Sequence, residues 1–335
     1  MKFIFLGDFF VSRDCIKLIP EEFNHDVKKL IAQHDVCICN LEAPVKAETV
    51  WLSPKIFGPP LSQPFESLQY LSSLGITHAS IYNNHIADYS SISIQYTVDL
   101  LSKVNIKPLS RVSSFTDKSG KRINIYNSGM LEEGAHYTML NKYGAHFMYD
   151  AFHSSLSNSN INIAYTHFGA EMLSKPSYAE SFFLENFSRN FDLVLKHHPH
   201  VPQMPIKYND SYVFPSLGDF LFYKKKELAP RTSGLIVSFD SDENKVEYYA
   251  QSIDKYGLVR IKHNSKYHSQ IDCCLNEEIC MLYSSISKSL PITARFLVKF
   301  LALSFIFGSE VTDRLRSRIS AHSFEPFLDL EIKYQ

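Results

Sequence analysis

Six short apolar runs in the first 220 residues each end on side chains of the kind that bind metal ions. The runs are KFIFLGD (2–8), DVCICNLE (35–42), THASIYNNH (77–85), INIAYTHFG (161–169), FDLVLKHHPH (191–200) and SYVFPSLGDF (211–220). Their nearly continuous apolar character fits parallel strands buried on both faces. Helix-patterned segments lie between them at 22–34, 64–74, 91–104 and 178–190. Strands alternating with helices predict an α/β fold. Asp8, Glu42, Asn84 with His85, His167, His198 with His200, and Ser216 with Asp219 all fall where a strand ends. Open α/β sheets bind ligands in the crevice outside those ends, so six strands are expected to deliver polar groups to one edge.

Two later runs, GLIVSFD and KVEYYAQSI, alternate in polarity and predict a terminal antiparallel pair. The stretches 113–120 and 154–160 read as polar loops, and 263–270 as a linker. A net charge of −1 without a basic arm argues against bulk electrostatic binding to nucleic acid. The six cysteines form no pair of CxxC motifs, which disfavours a structural zinc site. All six are expected as reduced thiols, with Cys37 and Cys39 on one face of a strand. The apolar run in MKFIFLGD is too short for a signal peptide and reads as a first strand, which predicts a cytoplasmic protein.

The densest cluster is LKHHPHVPQ, residues 195–203. With Pro199 stiffening the turn, His198 and His200 can face one cleft, and neutral imidazoles suit Zn, Mn or Fe. Asp8 follows the first strand after a glycine, and Glu42 can bridge two cations with its two oxygens. Asn84 offers an amide oxygen, and His85 beside it is placed to face a substrate. Two carboxylates, one amide and three histidines suit a two-metal site, which can activate water and clamp a phosphoryl group.

The order GD, NLE, NNHxxD, HxGxE, HHPHxxQ and SLGxF resembles the CapA family of capsule and poly-γ-glutamate biosynthesis proteins, over roughly residues 1–240. The resemblance implies a calcineurin-like metallophosphoesterase fold, an α/β/β/α sandwich with two sheets flanked by helices. It implies two divalent metal ions (Mn, Fe or Zn). Asp8 and His200 would hold the first with Glu42 bridging, and Asn84, His167 and His198 the second. His85 would protonate the leaving oxygen, oriented by Asp88. Asn83, Glu171, Lys196, His197, Gln203 and Asp219 would lie behind the ligands or touch substrate.

The chain departs from the pattern in three places. General metallophosphoesterases carry GDxH where this chain has Phe10, so the first ion would lose an imidazole and bind weakly or take a water instead. The resembling family reads GHHPH and SLGNF, where Lys196 and Asp219 stand here. Lys196 would add a cation beside the site and Asp219 a carboxylate. The family's usual membrane anchor or signal is also not seen ahead of the first strand.

The metallophosphoesterase-like domain is expected over 1–262 and a helical C-terminal extension over 270–335. ITARFLVKFLALSFIFG (292–308) carries Arg295 and Lys299 and is short for a membrane span. Packing against the catalytic domain, an interfacial membrane helix reaching to residue 318 and a dimer contact stay open for it. The expected function is hydrolysis of a phosphorylated or polymeric glycan substrate in surface-polymer assembly. The alternatives are a non-catalytic metal-binding accessory protein and an amide hydrolase acting on such a polymer. The expected place is the cytoplasm, with peripheral contact to the inner membrane following only from the interfacial-helix alternative.

Overall fold

The first strand, β1 (Lys2–Val11), explains the layering by itself. Successive side chains of a strand point to opposite faces. Phe3 and Phe5 enter one apolar cluster and Ile4 and Leu6 another, so β1 is buried on both sides. In this computed structural model the described residues are 1–19, 25–48, 50, 52, 59–129, 161–169, 171–176, 178–208, 210–224, 233–253 and 259–264.

After β1 come α1 (Arg13–Ile16), α2 (His25–Ile31), β2 (Val36–Leu41), α3 (Phe65–Leu74), β3 (His78–Ser80), α4 (Ser90–Lys103) and β4 (Lys107–Pro108). Then follow β5 (Val112–Thr116), β6 (Arg122–Gly129), β7 (Ile161–His167), α5 (Tyr178–Ser188) and β8 (Leu193–His197). The last are β9 (Ile206–Tyr208), β10 (Ser211–Phe214), β11 (Asp219–Tyr223), β12 (Ser233–Asp240), β13 (Lys245–Ile253) and β14 (Val259–Asn264).

One sheet runs β14-β13-β12-β1-β2-β3-β4, with β11 also paired to β1; the other runs β5-β6-β7-β8-β10-β9. Strands β1 to β4 are mutually parallel, as are β6, β7, β8 and β10. Phe3, Phe5 and Ile38 of the first sheet meet Ile125, Ile163, Leu195 and Phe214 of the second in one cluster between the sheets. The outer face of the first sheet buries Leu30, Leu68, Leu71, Ile94 and Leu101 from α2, α3 and α4. The outer face of the second buries Leu184 and Phe187 of α5. The expected α/β/β/α sandwich is what forms. Each fully buried Phe or Leu contributes about 1.5–3 kcal/mol, so these three apolar layers hold the edge that carries the polar groups.

Helices α2, α3 and α5 fall inside their predicted segments and α4 starts one residue before its segment, while GLIVSFD and KVEYYAQSI pair as β12 and β13. Three expectations need correction, and one strand was not foreseen. SYVFPSLGDF is two strands: β10 pairs with β8 in the second sheet and β11 with β1 in the first. Residues 215–218 carry the chain across, because Pro215 cannot donate to a ladder and Gly218 takes φ 68°. Residues 112–116 form edge strand β5, half exposed and therefore polar enough to resemble a loop. The central strand β6 (RINIYNSG) was not anticipated, since its apolar run is interrupted by polar residues. Residue 263 and its neighbour 264 belong to β14 rather than to a linker. The loop 154–160, the rest of that linker and the extension 270–335 lie outside the described residues.

Candidate metal centre

A bulge aims Asp8. Leu6, Phe9 and Val11 all face the helical layer, so the in–out alternation shifts by one residue between positions 6 and 9. The ladder to β2 shifts register between Phe5 and Asp8 and the ladder to β11 between Asp8 and Phe9. Bulges redirect single side chains in this way. The neighbouring Gly7 lies so close to β11 that a Cβ there would overlap the Gly218 carbonyl. Asp8 is fully buried. Its Oδ1 accepts from Asn40 Nδ2 at 2.8 Å, its Oδ2 accepts from the His198 amide at 3.1 Å, and His197 Nδ1 lies 3.1 Å from Oδ1.

On β2, Cys37, Cys39 and Leu41 face the helices while Ile38 faces the second sheet. Alternation then carries Asn40 and Glu42 toward the second sheet, where Ile163 and Tyr165 lead to His167 on β7. His198 and His200 follow β8 and both adopt positive φ, 94° and 58°. Such left-handed backbone costs about 1–3 kcal/mol per residue and is held only where the surroundings enforce it.

Two groups of donor atoms result. In the first, Asp8, Glu42, His200 and Asp219 each bring a ligand atom within 4.8 Å of the others, and all four are buried. His200 Nε2 lies 3.1 Å from Glu42 Oε1, and its Nδ1 2.7 Å from Asp219 Oδ1. In the second, His167 Nε2 lies 3.0 Å from Asn84 Oδ1 and 3.2 Å from His198 Nδ1. His85 is buried beside them, its Nδ1 2.7 Å from Asp88 Oδ2, which also accepts from the Leu61 amide.

The electrostatics of the first group suit a cation. Three carboxylates and one imidazole share a buried space, and uncompensated buried charge is strongly unfavourable. Apart from the His200 contact at Oε1, the Glu42 carboxylate has no hydrogen-bond partner among the described residues. Burial and the neighbouring Asp8 push its pKa up to about 8. Burial alone would lower His200, but Glu42 and Asp219 lift it well above the usual histidine range. Burial raises Asp8 in itself, yet the three histidines around it hold it far below the carboxylate range. Burial lowers His198 to about 3 and His167 well below its usual value, so both are neutral and able to ligate. The residues present therefore fit a divalent ion, with a hard, oxygen-rich donor set at the first group.

The remaining predicted residues divide. Asn83 donates to Asn40 Oδ1 and Leu41 O and receives the His85 amide, so it braces the site. His197 lies behind Asp8 with its ring 4.4 Å from that of Tyr165. Gln203 is buried and donates to Leu173 O. Glu171 is exposed on the turn after β7. Lys196 does not offer a cation to a substrate: it is fully buried, and its Nζ donates to Glu180 Oε1 at 2.9 Å and Phe168 O at 3.1 Å. Val194 faces α5 and Leu195 the other sheet, so alternation sends Lys196 outward. Phe10 packs on Phe222 at 5.1 Å in a small apolar cluster with Ala43 and Leu61. Asn40 was missed. It links Asp8, His167 and Asn83, and its position two residues before Glu42, on the same strand face, was the available signal.

Residues 2–224 match the family described as bacterial capsule synthesis protein PGA_cap. A curated relative, capsule biosynthesis protein CapA of Bacillus anthracis, is 23% identical over 180 residues, 48% of this chain. The match spans 44% of that relative's length. Among solved structures, Vps29 of Chaetomium thermophilum is similar at 11% identity and a TM-score of 0.35, covering 82% of this chain and 97% of that one.

Proposed function

Because the chain belongs to the bacterial capsule synthesis protein PGA_cap family, we propose that it is a two-metal hydrolase of the phosphoesterase type acting in assembly of a capsule or related surface polymer. The observation that carries this reading is the pair of donor groups, one oxygen-rich and one nitrogen-rich, gathered from strands of both sheets. Two divalent ions bound there would supply Lewis acidity and lower the pKa of water. Asp8, Glu42 and His200 would hold one, and Asn84, His167 and His198 the other. His85 would deliver a proton to the leaving oxygen from Nε2, with Nδ1 fixed by Asp88. The substrate is proposed to be a phosphorylated glycan or a poly-γ-glutamate-type polymer; a hydrolysable amide of that polymer fits the same machinery.

A second reading is favoured by Phe10, which fills with an aromatic ring the place where general metallophosphoesterases carry an imidazole. Under it the protein binds metal without turnover and assists a polymer synthase or exporter. Cytoplasmic placement and peripheral membrane contact through 292–318 belong to the proposal. No helix among the described residues is long and apolar enough to cross a membrane. The deciding experiment is metal analysis with turnover of a generic aryl phosphodiester by Mn-loaded protein. Two ions and Mn-dependent cleavage support the hydrolase; one ion and no turnover on phosphomonoester, phosphodiester or amide probes refute it.

A further inference from the structure

His200 is gripped from both ends of its ring. Nε2 faces Glu42 at 3.1 Å and Nδ1 faces Asp219 at 2.7 Å. The ring edge packs on Phe222, with centroids 4.8 Å apart, and Phe222 in turn rests on Phe10. A separation of 2.7 Å is that of a charge-assisted N–H···O⁻ hydrogen bond. Asp219 reaches this point because β11 runs parallel to β1 with Asp219 opposite Asp8. The turn before it is tied by the Asp8 amide to Gly218 O and by the Gly218 amide to Ser216 Oγ.

We infer that Asp219 is the positioning residue of His200: it fixes the Nδ1–H tautomer so that Nε2 is presented to the ion held by Asp8 and Glu42. The inference rests on the metal-centre reading above. The resembling family carries Asn at this place. An amide oxygen can accept the same hydrogen bond but brings no charge. A carboxylate strengthens the bond roughly twofold and makes the opposite ring nitrogen a better donor to metal. The charge thus strengthens the one imidazole at a site where Phe10 supplies none.

The test is Mn²⁺ titration of the full chain by calorimetry and electron paramagnetic resonance, comparing wild type with Asp219→Asn. The expected result is about 10–100-fold weaker binding at one class of site, with the number of ions at saturation unchanged. Unchanged affinity overturns the inference. One fewer ion at saturation also overturns it, since Asp219 would then be a ligand itself. A second measurement needs no variant. In Co²⁺-loaded wild type, the His200 Nδ1–H should give a hyperfine-shifted, slowly exchanging proton resonance, and its absence refutes the assigned tautomer. If wild type binds no ion at all, the metal-centre reading falls and this inference with it; if wild type binds and the variant is indistinguishable, only this inference falls.

Discussion

Proton release on metal binding is the sharpest consequence of the first donor group. Without a cation, Glu42 holds a proton up to about pH 8 and His200 holds one well beyond the usual histidine range. An ion that takes Glu42 and His200 as ligands must displace both. His167 and His198 are depressed and already neutral near pH 7, and Asp8 is already ionised, so they add no proton to the count. The sign follows: affinity for the ion rises with pH. Each displaced proton changes the apparent affinity by about tenfold per pH unit below the pKa of its group. Between pH 6 and 8 the affinity of the oxygen-rich site should climb by about 10²–10⁴. Calorimetric Mn²⁺ titrations in buffers of different ionisation enthalpy count the protons directly, and one to two should leave per ion. Glu42→Gln should lower the affinity and remove about one proton from the count. A flat profile from pH 6 to 8, or the same proton count in Glu42→Gln, would refute the assignment of Glu42 as a buried ligand.

Three further outcomes follow from the geometry. His85→Ala should lower kcat on an aryl phosphodiester by about 10²–10⁴ while leaving metal stoichiometry intact; full activity would remove His85 from the mechanism. Lys196→Met takes the ammonium away from Glu180, which is only 12% exposed, and should cost about 3 kcal/mol in denaturant unfolding. The double variant Lys196→Met with Glu180→Leu should recover most of that loss, and a double no better than the single would refute the coupling of this part-buried pair. Gly7→Ala drives a methyl into the Gly218 carbonyl and should cost about 1–3 kcal/mol and weaken Mn²⁺ binding together; wild-type binding in a destabilised variant would show that the bulge does not aim Asp8.

The apolar runs and their spacing determined the layered α/β architecture, because burial on both faces is a local, countable pattern; the rule that polar groups close a strand failed for Asp8, which lies inside β1, and for Asp219, which opens β11. Asn40 shares a strand face with Glu42 and was legible from parity alone; parity likewise puts Lys196 on the face of Val194, but only packing showed that this face meets α5. Tertiary structure decided what no local pattern carries. The switch of residues 215–218 between sheets turned one apparent strand into two and set Asp219 opposite Asp8. The bulge at Gly7 and Asp8 reversed the alternation that a regular strand would impose, turning a carboxylate toward the second sheet. Register depends on which strands pair and how closely their backbones approach. Those are long-range contacts, and a run of residues read alone does not contain its partner.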